Sequence, residues 1–168
     1  MTVGSSFIPM RRKDREITDE AAVRSILDKA QVLHLAMIDG DRPYVVPMHY
    51  GYTLENGRLT LYLHSAKEGR KLDILSKNSA VAFVLETDVS PVSGGDIPCK
   101  YGAAYASLMG EGRATILTDP MEKAAGLTVL MKTQTDRVFP ITEAMAESVA
   151  VIRVDVAACS AKSRPMAH

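Results

Sequence analysis

Apolar and polar residues alternate along the middle of the chain, as they do in β-strands with one buried face. In the segment Leu59–His64, three leucines fall on one face, and Thr60, Tyr62 and His64 fall on the other. Leu59–His64 is therefore predicted to be a strand with a polar outer face. Other strands are predicted over Val32–Ile38, Tyr44–Thr53, Ala80–Thr87, Tyr101–Leu117 and Ser148–Val156.

Turn signals join the first strands of this series. Asp39-Gly40-Asp41 and Glu55-Asn56-Gly57 contain the Gly and Asn residues that tight hairpins need. Short strands joined by hairpins favour a small barrel over a doubly wound sheet, and a Rossmann Gly-x-Gly-x-x-Gly is absent after the first strand. We therefore predict a mainly β fold, a six-stranded antiparallel split β-barrel with peripheral helices.

Helices are predicted over about 19–30, 66–77, 120–132 and 142–147, from apolar residues at helical spacing and from capping signals. Thr18 or Asp19 caps the first, and Asp119-Pro120 opens the third. The apolar stripe of the third helix is predicted to consist of Leu127, Leu130 and Met131.

The length of 168 residues suits a single domain. We divide the chain into an N-terminal arm (1–16), a barrel domain (17–158) and a C-terminal tail (159–168). Lys+Arg and Asp+Glu both number 20, so the net charge of zero argues against a nucleic-acid or anionic-membrane partner. The chain lacks an apolar run of transmembrane length. Cys99 and Cys159 have no metal or redox spacing, which suggests reduced thiols and a cytoplasmic protein.

The junction after the Leu59–His64 strand has an unusual charge pattern. Ser65 and Glu68 match the capping-box pattern, so a helix is expected to start directly after the strand. Lys67, Arg70 and Lys71 would then lie in its first turns, where the helix dipole favours acidic residues instead. Cations beside unpaired backbone N–H groups suit a phosphate. A solvated basic helix start would give the same pattern.

A second unusual strand contains a proline and a histidine. Pro47 has no N–H for a strand ladder, so it marks an edge, a bulge or a place where a flat ligand lies against the backbone. His49 falls on the same face by the period of two, and its imidazole suits proton transfer at neutral pH. A single strand histidine is, however, more often packed or solvated than catalytic.

Several spaced motifs, in this order, resemble the nitroimidazole-resistance (Nim) branch of the pyridoxamine 5'-phosphate oxidase-like flavoproteins. The match covers most of the chain, and its most specific element is His64–Lys71. The matching segments are Met10–Ile17, Val46–Tyr52, His64–Lys71, Cys99–Tyr101, Tyr105–Ser107, Gly110–Ala114 and Val149–Val156.

This resemblance implies an FMN-binding split barrel that forms a homodimer, with FMN at the subunit interface. It implies that the flavin phosphate lies near the start of the second helix and that the isoalloxazine ring lies beside the proline-containing strand. The Cys99–Tyr105 region of the partner subunit would close the pocket. The cofactor-binding residues so implied are Val46, Pro47, Met48, His49, Tyr50, His64, Ser65, Ala66, Lys67, Lys71, Cys99 and Tyr105.

The expected activity is that of an FMN-dependent reductase, charged by a reduced nicotinamide donor and acting on a small nitro or quinone acceptor. His49 is the expected proton donor. Tyr50, Tyr101 and Tyr105 either contact the ligand or pack, and Cys99 is either reactive or, as we expect, buried and inert. The alternatives are a haem-binding barrel, a non-catalytic flavin sensor or carrier, and an interaction module without a cofactor.

Overall fold

The computed structural model describes residues 10–165, which form a β-barrel with four α-helices. Short 3-10 turns cover Lys13–Arg15 and Pro98–Lys100. The helices are α1 (Glu20–Lys29), α2 (Arg70–Lys77), α3 (Pro120–Thr135) and α4 (Glu143–Glu147). The strands are β1 (Glu16–Ile17), β2 (Val32–Asp39), β3 (Arg42–Glu55), β4 (Arg58–Ser65), β5 (Ala80–Val92), β6 (Gly102–Leu117) and β7 (Ala150–Arg164).

Six of the strands close into a ring in the order β7-β4-β3-β2-β5-β6, and β6 pairs with β7 again. Every pairing is antiparallel. The strand β7 pairs with β6 along most of its length, with β4 over its first half and with the short β1 near its end. The predicted six-stranded split barrel is therefore confirmed, with β1 as an additional strand.

The two predicted hairpin turns are present. Gly40 has a φ of 67° between β2 and β3. Asn56 and Gly57 have φ values of 51° and 73° between β3 and β4, so both central residues adopt the positive φ that a type I′ turn requires. These turns fix the register that sends Leu59, Leu61 and Leu63 into the core, as predicted.

The helix α1 contributes Val23, Ile26 and Leu27 to the barrel core. Tyr50 of β3 is fully buried, and its hydroxyl donates to the carbonyl oxygens of Leu27 at 2.7 Å and Ala30 at 2.9 Å. These two bonds satisfy the phenol and join the end of α1 to the barrel.

The strand β3 has two halves with different neighbours. Residues 42–49 pair with β2, whereas residues 50–55 pair only with β4. The helix α3 covers this second half closely, because a Cβ on Gly51 would lie 2.3 Å from Cα of Leu130. Thr133 Oγ1 accepts from the backbone N–H of Tyr52 at 3.3 Å, and Gln134 Nε2 donates to the carbonyl of Tyr50 at 2.7 Å.

Several boundaries differ from the prediction. The helix α2 begins at Arg70, later than the predicted 66, and β5 extends to Val92, past its predicted end at Thr87. The last strand continues to Arg164, so residues 159–164 belong to β7 and not to a tail. Residues 1–9 of the predicted arm and 166–168 lie outside the described part. The pairing of β6 with β7 contains a register shift between Glu111 and Gly112, which marks a β-bulge.

The buried face of α3 also differs from the predicted stripe. It consists of Lys123, Gly126 and Leu130, so only Leu130 of the predicted residues is fully buried. The reason is a bulky neighbour: a Cβ on Gly126 would lie 2.8 Å from the ring of Tyr62. Within residues 10–165, no helix is long and apolar enough to span a membrane.

Candidate functional site

Two histidines lie side by side on the outer face of the barrel. The last pair between β3 and β4 joins Tyr50 to Leu63, so His49 and His64 are the next opposing positions. Both side chains are exposed. The pKa of His64 is lowered, and partial burial of the ring is the largest cause. The nearby His49 and Lys71 lower this pKa further. Lys71, at the start of α2, therefore belongs to the same group.

A backbone carbonyl orients His49. Its Nδ1 lies 3.0 Å from the carbonyl oxygen of Gln31, at the entry to β2. Because a carbonyl only accepts hydrogen bonds, Nδ1 carries the proton and neutral Nε2 keeps a lone pair. Gln134 of α3 donates to the same oxygen at 3.3 Å. Gln134 was not among the predicted site residues, because a glutamine near a helix end gives no sequence signal for such a contact.

The predicted Ser65–Glu68 capping box is wrong. Ser65 is held in β4 by its pairing with Ala150 of β7, and its hydroxyl donates to the carbonyl of Ala66 at 2.8 Å. The N-cap of α2 is instead Gly69, which has a φ of 135° and no capping side chain. The strand is thus separated from the helix by a loop, residues 66–69.

The start of α2 leaves backbone donors available. The carbonyl of Gly69 accepts from the N–H groups of Leu72 at 2.9 Å and Asp73 at 3.3 Å. Within residues 10–165, no oxygen accepts from the N–H groups of Gly69, Arg70 or Lys71. Uncapped N–H groups at a helix N-terminus favour an anion.

The three cations at this position have different roles. Arg70 forms an ion pair with Asp39 at 3.0 Å, and its guanidinium lies 4.4 Å from the ring centre of Tyr44. It therefore joins α2 to the hairpin between β2 and β3. Lys67 and Lys71 form no ion pair with any residue that the structure describes, so their charges remain available to a ligand.

The proline-containing strand presents alternate residues to the two sides. Pro47 and His49 are exposed on the outer face, as predicted, together with Val45. Val46, Met48 and Tyr50 point toward the core and offer only their backbone to an external ligand. For Tyr50 the packing alternative is correct, and burial raises the pKa of its phenol well above the ordinary value.

The remaining predicted residues lie on the β5–β6 side of the barrel. Cys99 is exposed in the Pro98–Lys100 turn, so the expectation of a buried cysteine is wrong. Tyr105 lies on β6 with the ammonium of Lys162 at 5.8 Å from its ring centre, and Tyr101 is 56% exposed. Inside one chain, no hydrogen bond, ion pair or ring contact among residues 10–165 joins them to the histidine pair.

The arrangement can hold a phosphate-bearing ligand against the outer face of the barrel. Uncapped N–H groups, Lys67 and Lys71 offer donors and positive charge to a phosphate. His64 lies near Lys71 and beside His49, and the exposed Pro47 adds an apolar surface on the same strand face as His49. The described residues contain no group of three His, Cys, Asp or Glu side chains that would hold a metal ion.

Comparison with known proteins identifies the family. The family profile described as pyridoxamine 5'-phosphate oxidase matches residues 19–163, which is most of the chain. The chain belongs to the pyridoxamine 5'-phosphate oxidase family. A search of curated proteins found no match.

Solved structures support this family assignment. A candidate 5-nitroimidazole antibiotic resistance protein from Bacteroides thetaiotaomicron is 31% identical, with 88% of this chain and 86% of that chain covered and a TM-score of 0.73. This similarity confirms the resemblance seen in the sequence.

More distant structures share the fold. The flavocytochrome Anf3 from Azotobacter vinelandii is 21% identical over 99% of this chain and 78% of that chain, with a TM-score of 0.76. The FAD and heme binding protein from Mycobacterium smegmatis is 16% identical, covering 92% and 76% of the two chains, with a TM-score of 0.73.

Proposed function

We propose that the protein is an FMN-dependent reductase that passes electrons from a reduced nicotinamide to a small electron-poor acceptor. The observation that carries this proposal is the uncapped start of α2, where Lys67 and Lys71 have no ion pair among residues 10–165. A helix start of this kind suits the phosphate of FMN. The printed names of two more distant neighbours, a flavocytochrome and an FAD and heme binding protein, support a flavin in general.

The exposed face of β3 suits the flat part of the same ligand. Val45 and Pro47 form an apolar surface next to His49, and the phosphate position lies beyond His64 on the neighbouring strand. An apolar ring system would thus lie against Val45 and Pro47, and the anionic group of the same ligand would lie beyond His64. Ser65 and Ala66 contribute through the backbone and through the shape of the loop, since the Ser65 hydroxyl is bonded to Ala66.

When bound, FMN would supply the hydride and electron transfer. The protein would supply the proton through His49. The carbonyl of Gln31 holds Nδ1 of this imidazole, so Nε2 remains available to an acceptor on the outer face. A protonated Nε2 can donate to a nitro or quinone oxygen as that oxygen gains negative charge. The proposed acceptors are therefore small, flat and polar at one edge.

We propose a homodimer with the flavin at the interface. The outer face of a barrel in water is expected to be polar, but here Ile38 is 47%, Val45 55% and Met109 48% exposed. These residues lie on β2, β3 and β6, and a second copy would bury them. In such a dimer, the Cys99–Tyr105 region of the partner subunit would complete the pocket. We also propose a cytoplasmic location, because the exposed Cys99 thiol suits a reducing compartment.

The visible absorption spectrum of the purified protein tests the proposal most directly. We expect flavin bands, release of FMN on heating, and faster oxidation of NADH or NADPH when a nitroimidazole or quinone is added. Flavin bands without acceptor-dependent turnover would support a sensor or carrier instead. A Soret band would favour the haem-binding alternative.

The substitution Lys71→Ala tests the phosphate position. The loss of a charge-assisted bond of about 1.5–3 kcal/mol would weaken FMN binding by roughly 10- to 150-fold. Binding of riboflavin, which has no phosphate, would stay the same, and equal loss for both flavins would contradict the assignment. Lys77→Ala is the matched control, because Lys77 lies at the opposite end of α2.

A further inference from the structure

We propose that Gln134 is a positioning residue that fixes the proton of His49 on Nδ1 by holding the carbonyl of Gln31. The role of His49 in proton transfer rests on the proposed reductase activity. The hydrogen bonds between Gln134, Gln31 and His49 do not depend on a bound flavin. Gln134 lies in the last turn of α3.

The contacts form a short series of hydrogen bonds. Gln134 Nε2 donates to the carbonyl of Tyr50 at 2.7 Å and to the carbonyl of Gln31 at 3.3 Å. The carbonyl of Gln31 also lies 3.0 Å from Nδ1 of His49. A side-chain amide carries two hydrogens on one nitrogen, so it can serve both carbonyls at once. The amide therefore links the entry to β2 with the middle of β3.

The position of Gln31 explains why its carbonyl needs such a link. Gln31 lies in the connection between α1 and β2, and β2 begins only at Val32, which is opposite His49. In the β2–β3 pairing, Gln31 therefore has no opposite residue on β3. The amide of Gln134 and the imidazole of His49 both hold its oxygen.

The helix α3 gives Gln134 a fixed base. Gly51 allows the backbone of Leu130 to approach β3, and Thr133 binds the N–H of Tyr52 one position before Gln134. The amide therefore starts from a rigid helix and not from a loop. Rigid support of this kind limits the conformations of a neighbouring functional side chain.

The consequence concerns the direction of proton transfer at His49. Neutral imidazole in water exchanges between two tautomers, and a hydrogen bond at one nitrogen selects between them. With the proton fixed on Nδ1, neutral His49 presents only a lone pair at Nε2. It must therefore take up a proton at Nε2 before it can donate one to an acceptor at the outer face.

Nitrogen NMR of the purified protein, carrying whatever flavin it retains and labelled with ¹⁵N-histidine, tests the inference. The His49 signals are identified by their loss in His49→Gln. We expect wild-type protein to show a protonated Nδ1 and an unprotonated Nε2 near pH 8. In Gln134→Met, which keeps the side-chain length but has no donor, the two signals should move toward a mixture of tautomers.

Two further variants separate positioning from general loosening of α3. Gln134→Glu presents a carboxylate to two carbonyl oxygens, so it should shift the His49 signals in the same direction as Gln134→Met. Thr133→Val removes the neighbouring bond between helix and strand but does not touch Gln31, so its His49 signals should match wild type. Unchanged signals in both Gln134 variants, or an equal shift in Thr133→Val, would overturn the inference.

Turnover gives an independent measure of the effect on the proposed reaction. We expect kcat with a nitro or quinone acceptor to fall about 10-fold in Gln134→Met, with KM for the nicotinamide donor unchanged, because part of the proton-transfer contribution is lost. If wild-type protein shows no turnover at all, the proposed function fails, while the NMR result still decides the role of Gln134.

Discussion

The two halves of β3 differ in what covers their outer face. Residues 42–49 pair with β2 and leave Val45, Pro47 and His49 exposed, whereas the second half contacts α3 through residues 50–52. In the second half, Gly51 contacts the helix backbone closely, and side chains of α3 bind the free backbone groups of the strand. One strand therefore serves the candidate site in its first half and the stability of the fold in its second.

This division determines where substitutions act. A change in residues 50–55 alters the contact between barrel and helix, and its effect should appear as a loss of folding stability. A change on the outer face of residues 42–49 removes no core contact, so its effect should appear in ligand binding or association. The following predictions test this separation, starting with the largest effect.

Gly51→Ala should cause the greatest loss. The new Cβ would lie 2.3 Å from Leu130 Cα and 2.5 Å from its backbone nitrogen, so the helix itself would have to move. We expect the free energy of unfolding, measured by urea denaturation, to fall by at least about 3 kcal/mol. Arg42→Ala, at the exposed start of the same strand, should change it by less than about 0.5 kcal/mol. A mild effect of Gly51→Ala would show that α3 adapts to its neighbour.

Val45→Lys should affect association and not folding. Val45 is 55% exposed, so a lysine can extend into water in the monomer, but a partner surface would have to bury its charge. We expect the dimer dissociation constant, measured by sedimentation, to rise at least about 10-fold, equivalent to about 1.4 kcal/mol. Far-UV circular dichroism should remain that of wild type. An unchanged dimer would place the interface on another face.

The pH dependence of His64 should give the smallest effect, since its ring is largely exposed. Its pKa in the folded protein lies below the ordinary 6.5, so below that pH the unfolded chain binds the proton more readily. The contribution of neutral His64 to folding stability is therefore fully present above pH 6.5. It is lost as the pH falls through the lowered pKa of the folded protein. His64→Gln should reduce this acid-side loss in thermal unfolding curves.

Binding of a phosphate-bearing flavin should reverse that pKa shift. An anion beside His64 favours its charged form, so NMR titration should show the pKa of His64 rising on addition of FMN. Riboflavin should produce no such rise. Identical titrations with and without FMN would place the phosphate away from the histidine pair.

The parts of the fold that depend on local patterns followed from the sequence. The β2–β3–β4 segment has clear alternation and turns with Gly40, Asn56 and Gly57, so each strand was located to within a few residues. The helices α1 and α3 also start where their capping residues, Asp19 and Asp119, indicated. Each of these features is determined by residues close together in the chain.

The start of α2 was misjudged because two local signals competed. Ser65 and Glu68 match a capping box, but Ser65 also continues the alternation of β4. Its pairing with Ala150, far along the chain, decides between them. The link from Gln134 to His49 likewise depends on how α3 packs. Such distant contacts leave no periodic pattern that a single sequence would reveal.

The way β7 completes the ring has a consequence for synthesis of the protein on the ribosome. Its partners β4 and β6 are made first, so both present unpaired strand edges until residues 150–164 emerge. Open edges are templates for intermolecular pairing, and pairings between distant segments form slowly. The nascent chain is thus most prone to aggregate just before β7 becomes available, a period in which chaperones would matter most.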